Sequence, residues 1–155
     1  MPGSAVAASA GVTRATLYRH FPNEDALFAA CSAEWLAANP RPDIAAWAAI
    51  ADPVERSETA LRELYAYNRT TEQMRANLLR DIDVVPVPIA AAISAFPTAM
   101  RDVLEVGWPV DGIDLRRAAL GHAVAFETWR SLVREGLDDR EAAALMVRFV
   151  TNATG

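Results

Sequence analysis

Residues 10–21, AGVTRATLYRHF, constrain this chain more than any other stretch, because they set a turn, a helix cap and a basic, aromatic surface side by side. Gly11 supplies the left-handed conformation that ends one helix, and Thr13 caps the next. The pattern reads as a helix-turn-helix. In a helix over residues 14–20, Leu17 and Phe21 share one stripe by their i, i+4 spacing, while Ala15 and Arg19 point the opposite way. One side packs; the other is free to touch a partner. Thr13, Arg14, Thr16, Tyr18, Arg19 and His20 offer hydroxyls and guanidinium groups suited to phosphate oxygens and base edges. An ordinary helical hairpin meets the same local pattern.

The AGV turn, the LYRHF block and the helix start Asn23-Glu24-Asp25-Ala26-Leu27 follow one another in a set order, and with them residues 6–27 resemble the TetR family of bacterial transcriptional regulators. The resemblance implies a DNA-binding domain with its connecting helix over residues 1–38 and a helical ligand-binding and dimerisation domain over residues 39–155. It implies a homodimer on palindromic operator DNA, controlled by a small-molecule effector. Thr13, Tyr18 and His20 would then meet phosphates, and Arg14, Thr16 and Arg19 would reach base edges, with Arg14 on guanine. Two departures stand out. The family's complete first helix is missing before the turn, and Glu24 occupies a position where a lysine commonly faces a phosphate. These departures motivate a second reading, a dimerising ligand-binding module that no longer binds DNA by itself.

Composition fits the first reading only locally. Net charge is −5, a poor match to a protein that coats nucleic acid indiscriminately, yet residues 1–23 hold Arg14 and Arg19 and no acid. All 15 basic residues are arginine. With 52% hydrophobic residues, few glycines and no strand-period alternation, the expected class is all-α. The single cysteine, Cys31, excludes an intrachain disulfide and fits a reducing cytoplasm, and on an Ala-rich helix it reads as a small buried hydrophobe. The charge-free run 84–100 is shorter than the roughly 20 apolar residues a membrane span needs. No membrane partner is expected.

Along the chain, Asn23 caps a helix to about residue 38 whose Leu27, Phe28, Cys31 and Trp35 read as core. Pro40 and Pro42 break it. A short helix carries Trp47; Asp52-Pro53 then starts a helix with Val54, Leu61, Leu64, Tyr65 and Asn68 on one face. Thr70 or Thr71 is expected to restart a helix through Met74, Leu78, Leu79 and Ile82, closed by an Arg80–Asp81 pair. The proline-rich run leads into a helix that bends or restarts at Pro97 and ends near Gly107. Asp114 is the expected cap of one long helix to Glu135, stopped by Gly136, and Asp138 or Asp139 that of the last.

Trp47, Tyr65, Tyr67, Met74, Leu78, Phe96, Met100, Trp108, His122 and Phe126 are candidate lining for an effector pocket, being large and mostly apolar with a few polar handles. His122, among Ala and Val, reads either as a ligand's hydrogen-bond partner or as a satisfied core histidine. Trp129, Leu132, Val133, Leu145, Met146 and Phe149 give the last two helices more apolar surface than they need, which a two-fold dimer would bury. The same residues could simply close the chain's own core. No metal-ligand spacing, activated nucleophile, cofactor motif or phosphate-cradling glycine loop is present, so no catalytic residue, metal or cofactor is expected.

Overall fold

The structure, a computed structural model, describes residues 22–153. It is all-α: the described residues form seven α-helices and one 3-10 turn, with no strand among them. The chain divides into two compact units, Met1–Pro40 and Arg41–Gly155. In the first unit the described helix is α1, Glu24–Ala38, capped where Asn23 Oδ1 accepts from the Ala26 N–H at 2.8 Å. Leu27 is buried on it, whereas Cys31 is exposed, contrary to its reading as core. The α1 sequence is apolar all round, so spacing alone does not select the buried stripe.

The second unit holds α2 (Ile44–Ala48), α3 (Pro53–Arg80), α4 (Val87–Glu105), α5 (Ile113–Ala123), α6 (Phe126–Arg134) and α7 (Asp139–Thr151), with the 3-10 turn Ile82–Val84 between α3 and α4. α3 is the spine. It packs along α7 and also meets α2, α4 and α6, while α4 packs on α2 and α5, and α5 on α7. Trp47, Leu61, Leu64, Tyr65, Met100, Leu104, Leu120 and Trp129 make the core. Each such side chain contributes about 1.5–3 kcal/mol on full burial.

Caps set most of the helix starts. Asp43 accepts from the Ala45 and Ala46 N–H groups, and Asp52 from Glu55 at 2.7 Å ahead of Pro53. Asp138 and Glu141 form a reciprocal capping box at α7. Three expectations are corrected. α3 runs unbroken through Thr70 and Thr71, because both hydroxyls bond back to the Tyr67 carbonyl within the helix rather than capping a new one. The α5 cap position is Gly112 at φ 71, and Asp114 lies within the first turn. The segment expected as one helix to Glu135 breaks at Val124 and Ala125, where Ala125 turns extended and Tyr65 Oη donates to the freed Ala123 carbonyl at 2.8 Å.

α4 keeps Pro97 inside a continuous helix of 19 residues. By length and composition alone it is apolar enough to cross a membrane, with mean hydropathy 1.2. In the fold it sets Met100 and Leu104 into the core and carries the Arg101–Asp102 ion pair.

Candidate functional site

The apolar residues proposed to line a pocket separate into two groups. Trp47, Tyr65, Met100 and Phe126 are core. The Trp47 indole N–H donates to Glu63 Oε2 at 2.7 Å, so its polar handle is already used. Burial pushes the Tyr65 phenol well above its ordinary pKa. Tyr67, Leu78, Phe96 and Trp108 are half-buried, and Met74 is exposed. Trp108 donates to the Leu104 carbonyl at 2.9 Å. His122 is exposed, not a core histidine: its Nδ1 lies 3.2 Å from Thr128 Oγ1 and its ring meets Phe149 edge-on.

Arginine chemistry organises the body, and the sequence reading passed over it. Arg56, buried near the start of α3, donates to the carbonyls of Ile50, Ala51, Val103 and Val106. It thereby serves the α2–α3 connection and the open C-terminal end of α4 together. Arg116, also buried, donates to the carbonyls of Pro109 and Asp111 and lies over Trp108. Asp139 takes two bonds from Arg69 and one from the Trp129 indole. These arginines hold the fold.

Arg75 is different. It is half-buried between the rings of Tyr67 and Phe126, at 5.6 and 5.0 Å from their centroids, and no carboxylate or carbonyl among the described residues accepts from it. Burial, the largest cause, lowers its pKa; Tyr67 acts to raise it and the charge of Arg41 lowers it further. Arg41 in turn lies 4.7 Å over the Phe96 ring, likewise without an anionic partner among the described residues. Two turns before Arg75 on α3, Asn68 is fully buried with both amide atoms unpaired. The signal for this cluster was legible. Ser57, Leu61, Leu64, Asn68, Thr71, Arg75 and Leu78 recur at alternating four- and three-residue steps, and this core-facing stripe turns polar at Asn68. A separate surface cavity of ≈ 240 Å³ between α3 and α7 is lined by Glu58, Arg62, Arg140, Ala143, Ala144 and Val147.

Of the residues proposed for a dimer face, Trp129 is fully buried and Met146 nearly so, both in the chain's own core. A second copy could not reach the Trp129 ring. Leu132, Val133 and Leu145 are half-buried, and Phe149 is 49% exposed beside His122 and near α5, whose Leu115 is 54% exposed.

Residues 4–31 match the family model described as bacterial regulatory proteins, tetR family. Over those residues the chain is similar to this family. The match supports a DNA-binding transcriptional regulator and ends inside α1. No curated protein and no solved structure matches the chain. The candidates Thr13, Arg14, Thr16, Tyr18, Arg19 and His20 all fall within the matched segment and lie outside the described residues.

Proposed function

We propose that this chain is a ligand-responsive repressor that binds a palindromic operator as a homodimer. The observation that carries the proposal is the family match over residues 4–31, which contains the basic and hydroxyl-bearing residues suited to DNA. Thr13, Tyr18 and His20 meet phosphates, while Arg14, Thr16 and Arg19 reach base edges. The exposed apolar side chains of Leu115 and Phe149, with half-buried Leu145, support a face that a second copy covers. An amphipathic effector binds the body and favours an arrangement that binds DNA less well; it shifts the balance only by its difference in affinity for the two arrangements.

Fluorescence anisotropy of the chain against DNA flanking its own gene, across a salt series, tests the reading. Saturable, sequence-selective binding is expected, with light scattering reporting a dimer. Arg14→Ala is expected to relax specificity at one position per half-site by roughly 1–3 kcal/mol. Unchanged sequence preference in that variant removes Arg14 from the reading role. A folded dimer that ignores every sequence offered favours the second reading, a ligand-binding module silent on DNA, to which the acidic Glu24 near the DNA-facing segment lends support.

A further inference from the structure

Three charged residues line the surface cavity between α3 and α7, and none of them is paired. Glu58, Arg62 and Arg140 have no hydrogen bond or ion pair among the described residues. For Glu58 and Arg62 local chemistry alone favours a pair, because a carboxylate four residues before a cation on one helix is the better order for an ion pair. No such pair forms. Asp138, Asp139 and Glu141 stand beside Arg140 in sequence, yet each is already engaged. Asp139 accepts from Arg69 and from the Trp129 indole, while Asp138 and Glu141 close the capping box of α7.

The hollow exists because α7 offers small side chains here. Ala143 and Val147 are its buried lining, and Ala144 is exposed. Its volume of ≈ 240 Å³ lies below the roughly 300–1,000 Å³ of a drug-sized pocket, so a fitting occupant is small. All three charged residues line one cavity of that size, and a molecule filling it lies beside each of them. Two guanidiniums and one carboxylate present charges of both signs. A plain anion would satisfy the arginines but meet repulsion from Glu58, and a plain cation would do the reverse.

We propose that this cavity binds a small aliphatic α-amino acid, with Arg62 and Arg140 on its carboxylate, Glu58 on its ammonium group and its side chain against Ala143 and Val147. The guanidinium fork matches a carboxylate in shape as well as charge, and the two apolar residues give the aliphatic part a surface to cover. The inference is independent of the reading of the chain as a repressor, since it uses the body alone.

Titration of the isotope-labelled 155-residue chain with L-leucine, followed by amide chemical shifts, tests the proposal. Leucinamide lacks the carboxylate and isocaproate lacks the amine. Saturable shifts centred on residues 58–62 and 140–147 are expected, with leucinamide at least about tenfold weaker and isocaproate between the two. Arg62→Gln and Arg140→Gln should each weaken leucine about tenfold, and Glu58→Gln should erase the preference for leucine over isocaproate. Ala144→Leu fills the space and should abolish binding, whereas Arg134→Gln, an exposed arginine of α6 outside the cavity lining, should change nothing. Glu58, Arg62, Arg140 and Ala144 are all exposed, and circular dichroism melts check that each variant is folded. No saturable shift with leucine, shifts confined to other parts of the chain, or equal binding of leucine and leucinamide overturns the proposal. So does undiminished binding by folded Arg62→Gln and Arg140→Gln. Isocaproate bound as tightly as leucine overturns the amino-acid assignment.

Discussion

Arg56 and Arg75 stand on the same helix with their guanidiniums drawn away from water, yet they are satisfied in opposite ways. At the start of α3, Arg56 spends its donors on four carbonyls from two separate segments, so that one side chain completes the hydrogen bonding of a helix end and a connection. Toward the other end, Arg75 meets two aromatic rings, and the charge of Arg41 lowers its pKa. The first environment was built around its cation. The second leaves donors over, and a protein can keep such donors only where something else uses them or where losing them costs little. Burial of a charged residue therefore says little about its role until its partners are counted.

The comparison can be broken at its strong end first. Arg56→Met keeps much of the volume but takes this donor from the carbonyls of Ile50, Ala51, Val103 and Val106 and removes a buried charge-assisted network, and a loss of about 3 kcal/mol is expected in urea unfolding. A loss no larger than that of Arg75→Gln would erase the distinction between the two ends.

Tyr65→Phe removes the donor to the Ala123 carbonyl between these extremes, and about 1–2 kcal/mol is the expected cost. The same phenol carries a pH dependence of known sign. Burial raises its folded pKa above the unfolded value of 10.0, so its contribution is complete below that value and is lost as pH rises above it toward the folded pKa. Alkaline unfolding of Tyr65→Phe should be correspondingly less steep; parallel profiles for the two proteins would deny the phenol that part. The smallest effect belongs to Arg75→Gln. Its melting should differ from the parent by no more than about 1 kcal/mol, since only the ring contacts are lost and a poorly solvated charge is relieved.

Legibility in the sequence followed the range of the interaction. Asn23, Asp52 and one of Asp138 and Asp139 could be read as helix starts because a cap acts on N–H groups within a few residues of itself. The same local logic identified the Arg80–Asp81 pair and the glycine stop at Gly136, which adopts φ 96. It failed at Thr70 and Thr71, whose hydroxyls serve equally well as caps or as bonds back into a continuing helix. For the candidate site, the aromatic members Tyr67, Phe96 and Phe126 were recognisable as large apolar groups with possible ligand roles. Arg75 and Arg41 were not, because a surface arginine and an unpaired half-buried one are the same letter. Only the phase of position 75 on the stripe through Leu61, Leu64, Asn68 and Thr71 distinguished it.

The sequence by itself determined the helical class, most helix starts and the TetR-family segment, since propensity, capping and a short motif are all encoded within a few turns of chain. The tertiary structure alone decided which apolar residues close the core, as Trp129 does and Phe149 does not. It also decided where residues 113–134 break, for no proline or glycine stands at Val124 and Ala125. Tyr65, brought there by α3, takes up the carbonyl that the break exposes. Packing between distant segments sets both outcomes, because a side chain's burial and a backbone group's partner depend on residues that sequence spacing does not bring together.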